Sequence, residues 1–214
     1  MRFYDRHEAG ELLAEELTFL KGEPDVIVLA IPRGGVVVGY KIARALKVPL
    51  DVYITRKIRA PYNPELALGA VASDGGVVLD YQLAERLGVP DEYIETETAH
   101  QQEEIRRRME AYRGDQPPLE IEGKTVILTD DGVATGSTVL ASIQAIRKQN
   151  PAQLILAMPV GPQETMSRLE QYVDHLVCLS TPQIFWAVGA FYAIFDQTPD
   201  EEVVKLLQEA QAED

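Results

Sequence analysis

One cysteine, one tryptophan and three histidines stand among 214 residues, and each scarcity removes a class of explanation. A lone Cys178 cannot close an internal disulfide, which suits a reducing compartment. Set in the apolar run "HLVCLS", it reads as a buried inert thiol rather than a nucleophile. The histidines lie at or near helices or a strand without metal-ligand spacing, and they receive no role. No apolar run approaches the ~20 residues that cross a bilayer, and "MRFYDRHEAGELLAEEL" lacks the apolar core of a signal peptide. The expected location is the cytoplasm, with no membrane partner. Positive charge is scarce too: 20 Lys and Arg against 34 Asp and Glu leave a net −14. That argues against nucleic acid, whose phosphates need a basic face.

What is present is an ordinary globular balance, 46% hydrophobic and 25% charged, of a length that suits a single domain over 1–214. Helical and strand patterns alternate along it. "HEAGELLAEELTFL" is helical up to Gly22 and Pro24, and "DVIVLAI" (25–31) reads as a central strand buried on both faces. "GGVVVGYKIARALKV" reads as a helix starting just after Gly34-Gly35, and "LDVYIT" (50–55) as a second strand. "LALGAVASDGGVVLD" holds two strand pieces joined by a hairpin at Asp74-Gly75-Gly76. Residues 80–113 give two helices, the second charge-laced, with Glu103–Arg107 and Glu104–Arg108 in the favourable i,i+4 order. A loop over 114–123 leads to strand 125–129, helix 137–149, strand 153–160, helix 162–170 and strand 174–179. An aromatic loop region over 181–197 and a helix from about Asp200 close the chain.

Strands separated by helices predict an α/β fold, a mostly parallel sheet with helices on both faces. Ligands of such sheets bind at the carboxyl ends of the strands. The loops at 32–35, 56–65 and 130–138 all follow strands and are expected to gather there.

The most informative stretch is "VILTDDGVATGST" (126–138). Two adjacent carboxylates, Asp130 and Asp131, end a buried strand, although like charges repel. The small residues Ala134, Thr135, Gly136, Ser137 and Thr138 then open a helix, offering free N–H groups and three hydroxyls. That is a phosphate cradle strengthened by the helix dipole. The carboxylates would repel a phosphate, so they suit its neighbours: sugar hydroxyls, a Mg²⁺ ion, or both. A sugar phosphate meets that description. Rival motifs fail on spacing: "GKT" at 123–125 has Pro118 where a Walker loop needs glycine and precedes a strand, and no G-x-G-x-x-G follows any strand. Receiver domains also carry adjacent acids at a strand end, but need no phosphate loop downstream and are shorter.

This stretch resembles the signature of the type I phosphoribosyltransferases, which bind phosphoribosyl pyrophosphate (PRPP). It departs at Thr129 and Gly132, where that pattern is usually hydrophobic. With "LAIPRGGVVVG", "RKIRAPYNPELALGAV" and "TPQIFWAVGAFY", nearly the whole chain is similar to a bacterial and archaeal subgroup of that family. The resemblance implies a parallel sheet of about five strands and a small hood over 181–197, to which this chain adds a helical insertion over 80–113. It implies transfer of ribose 5-phosphate from Mg-PRPP to a nitrogenous base with release of pyrophosphate, by a homo-oligomer, with Mg²⁺ as cofactor.

Matching position by position, Asp130 and Asp131 would hold the ribose and a possible Mg²⁺, and residues 134–138 the 5′-phosphate. "PRGG" would be the pyrophosphate loop, using Arg33 and the N–H groups of Gly34 and Gly35, with a cis peptide between Pro32 and Arg33. "RKIRAPYNPE" falls where the family has its mobile catalytic loop, so Arg56 and Lys57 would neutralise departing pyrophosphate; an exposed basic hairpin is the plainer alternative. Asn63 and Glu65 are weaker candidates for positioning substrates. Phe185, Trp186, Phe191 and Tyr192 would supply a stacking face for the base, or simply core. Ala134 stands where 6-oxopurine enzymes usually carry an aspartate. Arg6 and His7 have no assignment. A non-catalytic sensor of PRPP or nucleotides on the same fold is the alternative function.

Overall fold

The computed structural model describes residues 1–114 and 116–212, apart from the side chains of Pro64 and Glu65; Asp115, in the loop expected over 114–123, lies outside them. Its centre is a five-stranded sheet in which every neighbouring pair is parallel. The strands are β1 (Val26–Ala30), β2 (Leu50–Val52), β6 (Thr125–Thr129), β7 (Gln153–Val160) and β8 (His175–Ser180), in the order β2-β1-β6-β7-β8. Every residue of β1 is buried, because helices cover both faces and the strand needs no polar side.

Alternation along the strands sorts the core into two layers. Val26, Val28 and Ala30 pack with Ile127 and Ile155 against α1 (Arg6–Glu16), α2 (Gly34–Leu46) and α7 (Asp200–Gln211). Ile27 and Leu29 pack with Val126, Leu128, Leu154 and Leu156 against α5 (Ser137–Arg147) and α6 (Gln163–Glu170). A one-residue slip in register would exchange the two layers.

A second, antiparallel sheet of β3 (Thr55–Ala60), β4 (Asn63–Ala72) and β5 (Val77–Leu79) stands beside this core. The strand expected over 50–55 is therefore two strands. The chain leaves the parallel sheet after Val52: Tyr53 N–H still donates to Ala30 O at 2.9 Å, while Ile54 N–H donates to Ser73 Oγ at 3.2 Å, just past β4 of the second sheet. The segment expected as a mobile loop over 56–65 is largely the β3–β4 hairpin. The Asp74-Gly75-Gly76 turn forms as expected, with Gly76 N–H on Asp74 Oδ1 at 2.6 Å.

Helices α3 (Tyr81–Arg86) and α4 (Asp91–Arg113) follow, and α4 packs on β3, β4 and α7. The ion pairs on α4 are not the expected ones: Arg106 pairs with Glu103 and Glu110, and Arg107 with Glu104. The i,i+3 partner is as near as i,i+4 on a helix surface, and a long arginine reaches either. Helix α2 begins at Gly34, slightly earlier than expected, and α1 ends at Glu16, before Gly22 and Pro24 are reached.

One ion pair is of a different kind. Arg113, at the end of α4, makes a bidentate contact with Asp51 at 2.8 and 2.6 Å, and the two side chains are only 11% and 7% exposed. Asp51 also accepts from Leu119 N–H at 3.2 Å. It ties the helical segment to β2. Truncating one partner strands the other charge in the core, so Arg113→Ala should cost about 3–5 kcal/mol in urea unfolding. Arg106→Ala, on the exposed face of α4, should leave the unfolding midpoint close to the parent's. Equal losses in the two variants would mean that the Asp51 pair is effectively solvated.

Candidate functional site

At the carboxyl ends of β1 and β6 the two candidate loops lie against each other. The Pro32–Arg33 peptide is cis, and α2 starts immediately after it. A Cβ added at Gly34 would sit 2.0 Å from Asp131 Oδ2, and one at Gly35 would sit 2.8 Å from Asp130 Cα. "PRGG" and the acid pair are thus in direct contact, and only glycine lets the backbones approach so closely.

Both acids are half-buried. Asp130 Oδ1 accepts from Asp131 N–H at 2.7 Å. Burial, and next the neighbouring Asp131 charge, push the Asp130 carboxyl well above the usual carboxylate range. Burial also raises Asp131, against the pull of Arg6. Arg6 Nε donates to Asp131 Oδ2 at 2.8 Å, its Nη1 donates to Asp196 O at 2.8 Å, and its guanidinium lies 3.9 Å from the centre of the Phe195 ring. Arg6 was not assigned from the sequence. Its partner is 125 positions away, and nothing in the local pattern marks it.

Past the acids, Gly136 takes a left-handed conformation (φ 72°) and precedes α5 with no side-chain cap. The first N–H groups of α5 therefore have no capping partner within that turn. Two α6 side chains fix the loop by its carbonyls: Thr165 Oγ1 donates to Ala134 O at 2.8 Å, and Arg168 donates to Thr135 O. An uncapped helix start on a loop held by its carbonyls is an arrangement that can receive an anion.

The basic hairpin meets this loop. Arg56, Lys57 and Arg59 line a polar cavity of about 470 Å³ together with Thr138, and Thr55 Oγ1 lies 2.8 Å from Ser142 Oγ on α5. Lys57 also borders a more apolar cavity of about 680 Å³ beside Ser137 and Leu140.

A family model for the phosphoribosyl transferase domain matches residues 5–193. The chain belongs to that family. Two Mycobacterium tuberculosis proteins, from strains CDC 1551 / Oshkosh and ATCC 25618 / H37Rv, are each 39% identical over 208 residues, 97% of this chain and 47% of their own length. Both are named, provisionally, as phosphoribosyl transferases. This chain thus spans about half the length of these curated relatives. A crystal structure of a protein from Thermus thermophilus superposes with a TM-score of 0.87 at 43% identity, covering 98% of this chain and 99% of that one.

Within this phosphoribosyl transferase domain, other expected site residues lie apart. Arg33 turns toward α7, with Nη1 3.9 Å from Asp200 Oδ1. Phe185 stacks on Phe191, centroids 5.2 Å apart, both half-buried against a small core of Phe3, Ala9, Val160 and Tyr192. Tyr192, expected on a stacking face, is only 2% exposed: its ring packs on Phe3, and its hydroxyl donates to Asp131 O at 2.6 Å. It braces the acid pair and presents no face to a base. Trp186 is 87% exposed. Asn63 opens β4, and the Glu65 side chain lies outside the described residues. The Gly132 departure has a cause, since a Cβ there would meet Val188 of the aromatic region at 2.6 Å. Cys178 is half-buried, and burial raises its thiol pKa.

The raised carboxyls carry a signed consequence. Each favours the fold most while protonated, so its contribution is full below the ordinary carboxylate pKa of about 4 and is lost as pH rises through the raised value. Ligand-free Asp130→Asn should therefore melt a few degrees higher than the parent at pH 8, with the gap closing toward pH 4. Parallel melting curves across that range would show that burial does not penalise the charge.

Proposed function

We propose that the chain transfers the ribose 5-phosphate group of PRPP to a nitrogenous base, releasing pyrophosphate. The observation that carries this reading is the uncapped start of α5 lying directly after a half-buried acid pair, with "PRGG" packed against that pair. Phosphate and sugar hydroxyls are the ligands that use both features side by side. The family membership supports a transferase of this kind.

In this reading the N–H groups after Gly136 and the hydroxyls of Thr135, Ser137 and Thr138 hold the 5′-phosphate. Asp130 and Asp131 accept from the ribose hydroxyls. The N–H groups of Gly34 and Gly35 face the pyrophosphate, and Arg56 and Lys57 meet the charge that grows on it. The bond from a base nitrogen to C1 forms as the C1–O bond breaks, the bonding pair leaves with pyrophosphate, and the nitrogen gives up its proton. No side chain need act as nucleophile. Orientation and charge stabilisation supply the acceleration.

The donor set fits magnesium brought in on the substrate. Among the described residues no group of three acids, histidines or cysteines could hold a metal alone. Two carboxylates plus substrate oxygens suffice for Mg²⁺, which keeps much of its water, and burial leaves this pair short of positive charge. Asp130 and Asp131 would hold the ion, which would offset the anionic charge of pyrophosphate.

Sensing PRPP without chemistry is the alternative, and Ala134 does not decide between the two, since only a 6-oxopurine base calls for an acid–base residue at that position. Exchange of labelled pyrophosphate into PRPP across a panel of bases separates the two readings. The same alanine predicts negligible turnover with hypoxanthine and guanine, and the departure of the 80–113 segment from known types predicts weak or no turnover with adenine and orotate. Robust hypoxanthine transfer would overturn the inference from Ala134.

Binding gives the primary test. PRPP with Mg²⁺ at a hundredfold excess over its dissociation constant should stabilise the fold by about 2.7 kcal/mol. The double variant Asp130→Asn, Asp131→Asn should fold and lose that shift. Normal PRPP binding by the double variant would make the carboxylates structural and the assignment wrong.

A further inference from the structure

Helix α4 has no part in the chemistry so far, yet it forms one wall of the basic cavity. Glu97, His100 and Gln101 line it opposite Arg56, Lys57 and Arg59. Gln101 is the polar residue buried there, 7% exposed on an otherwise charged helix. Its Oε1 accepts from Arg56 Nε at 2.5 Å, and its Nε2 donates to Glu97 Oε1 at 2.8 Å. The Glu97 contact fixes which way the amide faces, since a carboxylate accepts only from the NH₂ end. The amide oxygen is thereby turned to the guanidinium. Tyr93, a further position on the same helix, donates its hydroxyl to Arg59 O at 3.1 Å. The hairpin is therefore held from α4 at two points.

The choice of an amide at 101 has a chemical meaning. Arg56 is surrounded by charge: Arg108 and Arg59 repel it, and Glu104 and Glu97 attract it. A carboxylate in direct contact would fix the guanidinium and neutralise it together. An amide fixes it and leaves its charge for another partner. Gln101 thus does half of what an ion pair would do.

We propose that Gln101 is a positioning residue, holding Arg56 at the cavity shared with Thr138 while leaving the arginine charge free for the pyrophosphate group of the substrate. This rests on the function proposed above and gives the 80–113 segment its role, that of a rigid back-plate for the basic hairpin.

The substitution that separates this from a purely structural role is Gln101→Glu. It keeps size and can still accept from Arg56, but it loses the donation to Glu97 and repels that carboxylate. It is therefore read beside the paired variant Glu97→Gln, Gln101→Glu, which restores that contact with the amide on the other side and preserves a structural role. Mg-pyrophosphate and Mg-PRPP binding would be measured by calorimetry on the full chain, beside thermal midpoints. The expected result is a midpoint near the parent's in the paired variant, with affinity for both ligands weakened about tenfold or more. Gln101→Leu, which is uncharged but offers Arg56 no acceptor, should also weaken both ligands by loosening Arg56. In an Arg56→Gln background, Gln101→Glu should cause little further loss, because its effect runs through Arg56. Parent-like pyrophosphate affinity in both Gln101→Glu and Gln101→Leu would overturn the proposal. So would an equal loss in the Arg56→Gln background, which would mean simple charge repulsion, or an unmutated chain that binds no pyrophosphate. A chain that binds pyrophosphate but not PRPP would sink the proposed function, leaving Gln101 to be judged on pyrophosphate alone.

Discussion

Two carboxylates held side by side and half out of water are the constraint around which the upper edge of the sheet is built. Asp130 and Asp131 directly follow β6, where the strand direction leaves them no other place. Their mutual repulsion and lost hydration have to be offset locally. Arg6 reaches in from α1 to take one of them, Asp131 N–H satisfies the other, and Tyr192 closes over the Asp131 carbonyl. The two glycines of "PRGG" are equally a consequence, since any side chain there would occupy the space of the carboxylates. A single electrostatic problem thus recruits α1, the start of α2 and the aromatic region.

The sheet makes that recruitment possible. Parallel strands send all their outgoing loops to one edge, so β1 and β6, as neighbours, bring "PRGG" and the acid pair together. The antiparallel sheet adds the basic hairpin from the side, anchored by α5 on one flank and α4 on the other. The groups proposed to meet the anions stand on three separate elements: a helix start, a tight turn and a hairpin.

Much of this was legible in the sequence, and the reasons are local. β6 spans the residues expected because five consecutive apolar or β-branched positions ended by two acids leave little choice, and the Asp-Gly-Gly turn carries its own chemistry. The parallel sheet with helices on both faces followed from alternation of strands and helices. The basic segment was less legible. "RKIRAPYNPE" has the polarity of a loop, and its strand character comes from pairing with β4, a tertiary effect. Arg6, Arg168 and Gln101 were invisible for another reason: each acts on a residue far away in the chain, and a polar side chain on a helix looks the same whether it faces water or a site. Tyr192 could be read only as one aromatic among several until its neighbour Phe3 was in place.

That neighbour carries a consequence for how the molecule comes together. Phe3 N–H donates to Phe191 O, while Ala193 N–H and Ile194 N–H donate to Phe3 O and Tyr4 O, each at 2.8 Å. Arg6 meets Asp196 across 190 positions of chain. Closing so long a loop adds little to the final free energy, because the entropic cost grows only with the logarithm of its length, but contacts of this separation form slowly. The sheet can assemble from nearer partners while the first residues still wait for the last. Asp131 would then spend the late part of folding without its arginine, and the aromatic region would settle only when the two distant stretches of chain had found each other.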